Sequence, residues 1–290
     1  LADVEVIFSG WGAPVLDKEL LDAAPKLKAF FYGAGSVKHI VTEEFWRRNI
    51  LITSSYGANG ETVAEYTLGH ILVALKRGWM FAREIRKQQK YPSNVQEILM
   101  YEMNGTYGST VGVVSLGAIG RKVCELLRPF NIRVLAYDPY VTKEQAAALG
   151  AELCSLEELF RSADVVTLHT PWLKETEGMI RGEHLLSMKK HAAFINTSRG
   201  AVVNEPEMIE ALKSRPDLQA VLDVTHPEPP APGSPLYTLP NVLLTPHIAG
   251  AVARGEGGRM GMYVLEELRR YTEGQPPRWP ITKERLATMA

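Results

Sequence analysis

Short apolar runs, rich in β-branched and aromatic residues, alternate along most of the chain with patterns typical of amphipathic helices. Alternation of this kind indicates βαβ units and a parallel sheet, so the fold class predicted is α/β. The predicted strands cover residues 4–8, 29–32, 51–53, 111–115, 133–137, 165–168, 193–196, 219–223 and 242–244. The proline-rich stretch 227–235 is predicted to be a loop, because proline neither donates to a ladder nor continues a helix.

The longest helical pattern covers residues 61–87. Its apolar positions recur every three or four residues, at Ala64, Leu68, Ile71, Leu75, Trp79 and Ala82. Glu61 and Glu65 stand near its start and three basic residues near its end, which complements the helix dipole. We therefore expect one helix of about 27 residues, about 40 Å long, serving as a spine between two lobes.

Composition excludes several classes of protein. The 290 residues carry a formal charge of −1 and are 46 % hydrophobic, which is typical of a globular protein and leaves no basic excess for nucleic acid or a membrane surface. No apolar run approaches the roughly 18 residues of a membrane span, and the first residues lack the basic start of a signal peptide. The chain begins without Met inside a strand-like run, so we expect the natural N-terminus to lie upstream.

The cysteines and histidines suggest no metal or disulfide framework. Cys124 and Cys154 form neither a CxxC pair nor a spaced set, which favours a reducing, cytoplasmic setting. The histidines outside the candidate site show no ligand spacing, so no metal is expected.

Residues 110–121 have the pattern of a strand, a tight turn and the start of a helix. Gly117, Ala118, Ile119 and Gly120 form the turn and the first helical residues, and Asp138 ends the next predicted strand eighteen residues after Gly120. This is the Rossmann arrangement, in which amides at a helix N-terminus meet a pyrophosphate and a carboxylate accepts from the ribose hydroxyls. An acidic Asp138 would repel a 2′-phosphate, so NAD is expected rather than NADP.

One position departs from the glycine pattern. The strict motif places glycine at 115, where this chain has Ser115. Serine makes a similar turn if its φ stays negative, so we expect a slightly altered loop rather than a lost site. The alternative is a glycine turn in an α/β fold that binds no nucleotide.

Polar side chains follow three predicted strands in the second half of the chain. Arg199 follows the strand at 193–196, Asp223 ends the strand at 219–223 with Glu228 in the loop after it, and His247 follows the strand at 242–244. Carboxyl ends of strands are where open α/β sheets bind ligands. A guanidinium suits a carboxylate next to a carbonyl, and an imidazole suits proton transfer near neutral pH. Taken singly, a histidine at a strand end is more often structural than catalytic. Arg199 alone is more often a surface or ion-pair residue, and Glu228 in a proline-rich loop would normally be a solvated charge.

These three segments resemble the signatures of the D-isomer-specific 2-hydroxyacid dehydrogenase family, at spacings of 29 residues from Arg199 to Glu228 and 19 to His247. The resemblance implies an NAD-dependent enzyme that interconverts a 2-keto acid and a (D-)2-hydroxy acid by hydride transfer. It implies that Arg199 holds the substrate carboxylate and 2-oxygen, that His247 is the acid/base, and that Glu228 pairs with His247. We also expect a homodimer.

The same resemblance implies further contacts with the cofactor. Asp223 would accept from the nicotinamide carboxamide, and Arg199 and His247 would lie beside the same ring. The other expected cofactor residues are Thr170, Pro171, Thr197, Ser198, Ala249 and Gly250. His169 is expected to be a packing residue rather than a direct contact.

Residues 30–39 resemble the substrate loop of that family. Ala34, Gly35 and Ser36 would offer backbone N–H groups to the substrate carboxylate, and Asn59, in the segment that joins the lobes, would face the substrate. The family usually has an acidic residue shortly after the turn, where this chain has Lys38. Lys38 either attracts a second negative group on the substrate or is a solvated surface charge, and for this reason no particular substrate is inferred.

The predicted architecture is a Rossmann-type dinucleotide-binding domain, 61–250, and a smaller flavodoxin-like α/β substrate domain, 1–60 with 251–290, separated by a cleft. The N-terminal part of the smaller domain is expected to be incomplete. Two alternatives on the same fold are an NAD-sensing corepressor-like binding protein and a phosphite dehydrogenase-like enzyme. Formate dehydrogenase is disfavoured, because enzymes of that type carry glutamine where this chain has Glu228.

Overall fold

Parallel strands and helices alternate throughout the computed structural model, which describes residues 1–100, 103, 105–286 and 289. The strands within them are β1 (Val6–Ser9), β2 (Ala29–Tyr32), β3 (Leu51–Ser54), β4 (Thr110–Val114), β5 (Arg133–Tyr137), β6 (Ala151–Leu153), β7 (Val165–Leu168), β8 (Ala193–Asn196), β9 (Gln219–Leu222) and β10 (Val242–Leu244).

The helices of the same residues follow in chain order. They are α1 (Lys18–Ala23), α2 (Glu43–Arg47), α3 (Tyr56–Leu75), α4 (Gly78–Gln88), α5 (Val95–Leu99), α6 (Ala118–Leu127), α7 (Lys143–Ala148), α8 (Leu156–Ser162), α9 (Gly182–Ser187), α10 (Glu205–Ser214), α11 (Arg254–Thr272) and α12 (Lys283–Leu286). Short 3₁₀ turns lie at Gly200–Val202 and Pro235–Tyr237.

The chain divides into two units. The first comprises Leu1–Thr62 with Gly250–Ala290, and the second comprises Val63–Ala249. The predicted smaller domain ends at residue 290, and residues 287, 288 and 290 of it lie outside the described residues.

The first unit contains a three-stranded parallel sheet in the order β1-β2-β3. Its central strand is buried on both faces. Phe30 and Tyr32 pack into one core cluster, whereas Ala29 and Phe31 pack against Val264 of α11. The alternation of side chains along β2 thus joins the sheet to helices on either side.

The second unit contains a seven-stranded parallel sheet in the order β10-β9-β8-β7-β4-β5-β6. From β4 the chain first adds strands on one side, then returns and adds β7 to β10 on the other. This is the doubly wound order of a dinucleotide-binding fold, and its direction reverses between β4 and β7. Ligands bind such sheets at the carboxyl ends of the strands near that reversal.

The strands of this sheet are covered on both faces. Val114, Val166 and Phe194 belong to one core cluster, whereas Val113, Ile195 and other neighbours along the same strands belong to a second. Strands buried on both faces have near-continuous apolar sequences, which is why they were visible in the sequence.

The predicted helix over 61–87 is wrong as a single helix. It is two helices, α3 and α4, separated at Lys76 and Arg77, and Arg77 has a left-handed backbone with φ +49°. The apolar stripe continues across this break because Trp79 of α4 still packs against the core cluster that includes Ile71. Periodicity alone therefore did not reveal the turn. Glycine at position 78 suits the turn, because a Cβ there would lie 2.9 Å from Val73 Cγ1.

Other differences are smaller. Strand β6 was not predicted, because it has three residues and an exposed Glu152 at its centre. Ser115 lies after the end of β4 rather than inside it. Helix α11 begins at Arg254, and the glycines in its first turns weaken the helical pattern of the sequence there.

Candidate active site

The glycine turn after β4 differs from the expectation at one residue. Ser115 has φ +74°, so the prediction that its φ stays negative is wrong. The serine adopts the left-handed conformation that favours glycine, and the turn keeps its glycine-type course. The Ser115 amide donates to Tyr137 O at 2.7 Å, and its hydroxyl lies 2.8 Å from Thr170 Oγ1. Helix α6 then begins at Ala118, with Gly117 as its N-cap.

The two remaining glycines of the turn have different surroundings. A Cβ on Gly120 would lie 2.0 Å from Ser115 O, so only glycine allows α6 to start this close to the strand. A Cβ on Gly117 would have no described atom within 4 Å, and Gly117 and Ala118 are exposed. Gly117 has no side chain to cap α6, so the amides of its first turn are available to an anion.

Asp138 closes the loop from the adjacent strand end. Its Oδ2 accepts from the Leu116 amide at 2.7 Å, and its Oδ1 accepts from the Tyr140 amide at 2.8 Å. An ionised carboxylate has about four acceptor positions, so it can hold the loop and still accept from ribose hydroxyls. The open Gly117, the exposed Ala118 at the start of α6 and Asp138 therefore fit the pyrophosphate and ribose of a dinucleotide.

The strand end after β7 lies next to this loop. Thr170 is buried and meets the Ser115 hydroxyl, while the adjacent Pro171 is partly exposed. His169 is buried, and its Nε2 lies 3.0 Å from Thr167 Oγ1. Burial lowers the pKa of His169 to about 3, so the ring is neutral near pH 7. This environment agrees with the expected packing role.

Arg199 follows β8 in a tightly bonded turn. Asn196 Oδ1 accepts from the amide and the hydroxyl of Ser198 at 3.0 and 2.9 Å, and Asn196 Nδ2 donates to Arg199 O. Arg199 Nη1 donates to Ser198 O at 2.7 Å. A guanidinium carries five N–H donors, enough to make this contact and bind a carboxylate as well. Burial lowers the pKa of Arg199, and the Glu228 carboxylate opposes that shift.

Gly200 brings the Arg199 turn against the segment before Glu228. A Cβ on Gly200 would lie 2.0 Å from the backbone carbonyl carbon of Thr225 and 2.6 Å from the His226 amide nitrogen. Backbone atoms cannot give way as a flexible side chain can. Only glycine therefore allows these two loops of the sheet edge to touch.

Glu228 and His247 form the expected pair. His247 Nδ1 lies 2.6 Å from Glu228 Oε1, and both side chains are partly exposed. His247 has φ +54°, and its amide donates to Asp223 O at 2.9 Å. The peptide bonds before Pro227 and Pro229 are cis. Arg199, Glu228 and His247 thus follow β8, β9 and β10, three adjacent strands of one sheet.

Asp223 is engaged by its own chain. Its Oδ1 accepts from the Thr245 hydroxyl at 2.6 Å and the Ile248 amide at 2.9 Å, and its Oδ2 accepts from the Ala249 amide at 2.8 Å. The side chain is buried. The carboxylate thereby holds the loop that carries His247, while its expected contact with a nicotinamide carboxamide stays a prediction.

The expected substrate residues lie in the first unit. Ser54 Oγ is within hydrogen-bond distance of the carbonyls of Ala34 and Gly35, and Ser36 Oγ accepts from the Lys38 amide. Asn59 Oδ1 accepts from the Ala251 amide at 2.8 Å and would lie 2.9 Å from a Cβ on Gly250. Gly250, expected beside the cofactor, is thus in contact with Asn59 in this unit.

The sequence did not predict that three further residues, Trp11, Tyr66 and Thr67, contact these positions. The Trp11 ring is exposed and would lie 3.3 Å from a Cβ on Gly35. Tyr66 and Thr67 of α3 reach the loops of His247 and Arg199 through Thr245 and Thr197. No local pattern in the sequence predicted these contacts, because the partners are distant in sequence.

The described residues contain neither a membrane-spanning helix nor a metal-binding cluster. No helix among them is long and apolar enough to cross a bilayer. No group of three or more His, Cys, Asp or Glu side chains among them is placed to hold a metal ion.

Comparison with known proteins places this site in a family. Residues 68–249 match the domain described as "D-isomer specific 2-hydroxyacid dehydrogenase, NAD binding domain". The chain is 35 % identical over 263 residues to the glyoxylate reductase of Korarchaeum cryptofilum, covering 90 % of this chain and 78 % of that protein. It is 33 % identical over 263 residues to the D-3-phosphoglycerate dehydrogenase of Archaeoglobus fulgidus, covering 91 % and 49 %. The chain therefore spans about half the length of that relative.

One solved structure is similar to nearly the whole chain. The apo form of Rhodotorula graminis D-mandelate dehydrogenase superposes with a TM-score of 0.80 at 27 % identity, covering 97 % of this chain and 84 % of that one. The likeness extends beyond the matched domain to nearly the whole chain.

Proposed function

Because this chain belongs to the D-isomer specific 2-hydroxyacid dehydrogenase family, we propose that it uses NAD to interconvert a 2-keto acid and a D-2-hydroxy acid. The observation that carries the proposal is the 2.6 Å pair of Glu228 and His247, with Arg199 on the same sheet edge as the dinucleotide turn. An acid/base, a carboxylate-binding cation and a cofactor cradle are the parts that such a reaction needs.

Each of these side chains has a distinct task in the reducing direction. Bound NAD in its reduced form supplies the hydride that reaches C2 of the keto acid. His247 donates a proton to the 2-oxygen from the nitrogen that does not face Glu228, and Glu228 holds the ring in orientation through Nδ1. Arg199 binds the substrate carboxylate and polarises the neighbouring carbonyl. In the oxidising direction His247 takes the proton back.

The cofactor contacts are part of the proposal. The amides of the α6 first turn bind the pyrophosphate and Asp138 the ribose hydroxyls, as their environments favour. The further residues proposed to contact the cofactor are Thr170, Pro171, Thr197, Ser198, Asp223, Ala249 and Gly250.

Substrate binding by the first unit is proposed for Ala34, Gly35, Ser36 and Asn59. The supporting feature is the hydrogen-bonded turn at Gly35, where a Cβ would lie 3.3 Å from the Trp11 ring and 3.6 Å from Asn59 Nδ2. A carboxylate held by backbone N–H groups needs this kind of close approach to a glycine. The domain limits 1–60, 61–250 and 251–290 stay part of the same proposal.

The test is NADH oxidation with glyoxylate, hydroxypyruvate, pyruvate, phenylpyruvate and bulkier 2-keto acids. We expect turnover with at least one of them. Tight NADH binding without turnover of any would sink the dehydrogenase proposal and favour a binding protein that senses NAD. Oxidation of phosphite would favour the phosphite dehydrogenase-like alternative instead.

The His247→Gln variant tests the acid/base role. We expect kcat/KM to fall by about 10²–10⁴, the usual contribution of a positioned acid/base, while the Kd for NADH stays near the wild-type value. His226→Gln is the matched control, because His226 lies on the same loop as Glu228 but outside the pair. Equal loss of turnover and NADH binding in His247→Gln would mean that His247 is structural.

We also propose a homodimer formed through the α4–α5 region. Helix α4 has no fully buried residue, and Tyr91, Val95, Leu99 and Met100 are exposed apolar side chains after it. A cluster of this kind is typical of an interaction surface, and a net charge of −1 gives two copies little repulsion. Sedimentation should give twice the mass of the chain, and Leu99→Lys should give a monomer. A Leu99→Lys variant that still dimerises as well as the wild type would exclude this surface as the dimer interface.

A cytoplasmic location is proposed from the cysteines. Cys124 and Cys154 are unpaired, and burial raises the pKa of each thiol to about 11. Both therefore stay protonated and unreactive, as suits a protein without a disulfide requirement. The test is fractionation of the native cell. Recovery of the protein outside the cytoplasmic fraction would contradict this proposal.

A further inference from the structure

Helix α3 carries two adjacent hydroxyl side chains that reach two different loops of the second unit. Tyr66 OH lies 3.2 Å from Thr245 Oγ1, two residues before His247. Thr67 Oγ1 lies 3.0 Å from Thr197 Oγ1, two residues before Arg199. We propose that Tyr66 and Thr67 are positioning residues, which set the placement of His247 and Arg199 relative to each other. This inference rests on the proposed dehydrogenase function.

The contact with the Arg199 turn is a buried pair of hydroxyls. Thr67 is fully buried and Thr197 nearly so, so water does not replace either partner. Leaving a buried polar group without a partner destabilises the fold. Because Asn196 bonds both Ser198 and the carbonyl of Arg199, the turn is internally rigid. Thr67 therefore anchors the whole turn to α3 rather than a single side chain.

The contact with the His247 loop is a directed chain of hydrogen bonds. Thr245 donates its only hydroxyl proton to Asp223 Oδ1 at 2.6 Å, so Tyr66 must be the donor to Thr245. Asp223 in turn accepts from the amides of Ile248 and Ala249 through its side chain and from that of His247 through its carbonyl. This series of hydrogen bonds therefore runs from the Tyr66 phenol to the backbone on both sides of His247.

The environment of Tyr66 keeps it in this role. Its ring meets that of His70 on the next turn, with centroids 4.5 Å apart and an edge-on angle. Burial raises the pKa of Tyr66, so the phenol remains a donor near neutral pH. An aromatic ring held by a neighbouring ring loses little further freedom when its hydroxyl bonds.

A single helix is suited to link two loops. Successive residues of an α-helix point about 100° apart, so Tyr66 and Thr67 face in different directions from one rigid backbone. The helix then fixes the spacing between the two loops it touches. Reactions that depend on the alignment of a proton donor and a bound carboxylate are sensitive to shifts well under 1 Å. Tyr66 and Thr67 therefore act through the loops that they hold.

The two contacts predict different kinetic effects. Tyr66→Phe removes only the phenolic hydroxyl, and we expect kcat for keto-acid reduction to fall about tenfold with a changed pH profile of kcat, because proton delivery by His247 is affected. A tenfold effect corresponds to about 1.4 kcal/mol. Thr67→Val keeps the shape of threonine, and we expect KM for the keto acid to rise about tenfold, because Arg199 binds its carboxylate. Thr67→Ser restores the hydroxyl and should restore KM.

Thr62→Val is the matched control. Thr62 is a buried threonine of the same helix, and its hydroxyl reaches Ala58 O within that helix at 3.4 Å. We expect no split between kcat and KM in this variant. The same modest loss of both parameters in all three variants, or a Thr67→Ser enzyme no better than Thr67→Val, would overturn the positioning roles.

Amide hydrogen exchange provides a readout that needs no turnover. Thr67→Val should speed exchange at residues 197–200, Tyr66→Phe at 245–249, and Thr62→Val at neither. These responses in a protein that turns over no keto acid would mean that the proposed function fails while the anchoring of both loops holds. Unchanged exchange and unchanged kinetics in an active enzyme would mean that the proposed function holds while the anchoring of the two loops fails.

Discussion

Ser115 shows how one residue departs from its sequence motif without changing the turn. It occupies a left-handed conformation that costs a non-glycine residue about 1–2 kcal/mol. Its hydroxyl meets that of the buried Thr170 at 2.8 Å, a bond that glycine cannot make. Side-chain bonding thus offsets part of the backbone cost.

Two variants of Ser115 separate the backbone from the hydroxyl. Both Ser115→Gly and Ser115→Ala lose the bond to Thr170, but only alanine keeps a Cβ at positive φ. We therefore expect Ser115→Gly to have the larger free energy of unfolding, by about 1 kcal/mol, measured by urea denaturation. The control is Ser162, the last residue of α8, where alanine should be more stable than glycine. The same order at both sites would contradict the backbone argument.

His169 gives the folded protein a dependence on pH. Its pKa is about 3 in the folded chain, against the ordinary value near 6.5 after unfolding. Below pH 6.5 only the unfolded chain takes up this proton, so stability falls as the pH drops from 6.5 towards 3. Between pH 7 and 5 this group should remove about 2 kcal/mol of unfolding free energy.

The measurement compares wild type with His169→Gln. Urea denaturation at pH 7 and pH 5 should show a loss that is smaller in the variant by about that amount. The variant's absolute stability does not enter, because only the difference between the two pH values is compared. Equal losses in both proteins would show that His169 is protonated in the folded state at pH 5.

At the scale of the elements, close contacts between loops fix the positions of the side chains that follow the strands. The turn after β8 and the loop after β9 touch at Gly200, and the loop after β10 is tied to Asp223. The sequence predicted most of these strands to within a residue, because a strand buried on both faces leaves a continuous apolar run. It did not predict the break between α3 and α4, since the stripe continues through it.

Gly200→Ala tests the close approach. The added methyl would lie 2.0 Å from Thr225 backbone, so one loop must move, and we expect a loss of roughly 1–3 kcal/mol of unfolding free energy together with most of the turnover. The measurement is chemical denaturation alongside the keto-acid assay.

Gly257→Ala is the matched control for this change. Gly257 lies in α11 with nothing described within 4 Å of its Cβ position, so alanine there should raise stability by up to about 1 kcal/mol. A wild-type stability and rate in Gly200→Ala would mean that the loops separate without cost.

At the scale of the whole molecule, strand order brings distant residues to one sheet edge. The order β10-β9-β8-β7-β4 places the strands before Arg199, Glu228 and His247 side by side, next to those that carry the dinucleotide turn. Binding of the cofactor at this sheet edge should therefore raise the free energy of unfolding of the chain. Mass action gives about 2.7 kcal/mol at a hundredfold excess over Kd.

Thermal unfolding with each nicotinamide cofactor tests this expectation. NADH should raise Tm by about 5–10 °C, and NADPH by much less, because Asp138 repels a 2′-phosphate. Asp138→Ser should narrow the difference, whereas Asp3→Ser, an exposed aspartate of the first unit, should leave it unchanged. An equal shift with NADH and NADPH in the wild type would contradict the role given to Asp138.

The sequence alone determined the α/β class, most strands and the glycine turn, and it predicted Arg199, Glu228 and His247 as site residues. These features depend on local patterns, because a strand buried on both faces is a continuous apolar run and a turn is set by a few consecutive residues. Tertiary structure alone decided how Ser115 turns, why residue 200 must be glycine, and that Tyr66 and Thr67 reach loops 179 and 130 residues away. A hydrogen bond over such a separation leaves no local trace, since either partner has the same neighbours in sequence whether or not the chain brings them together.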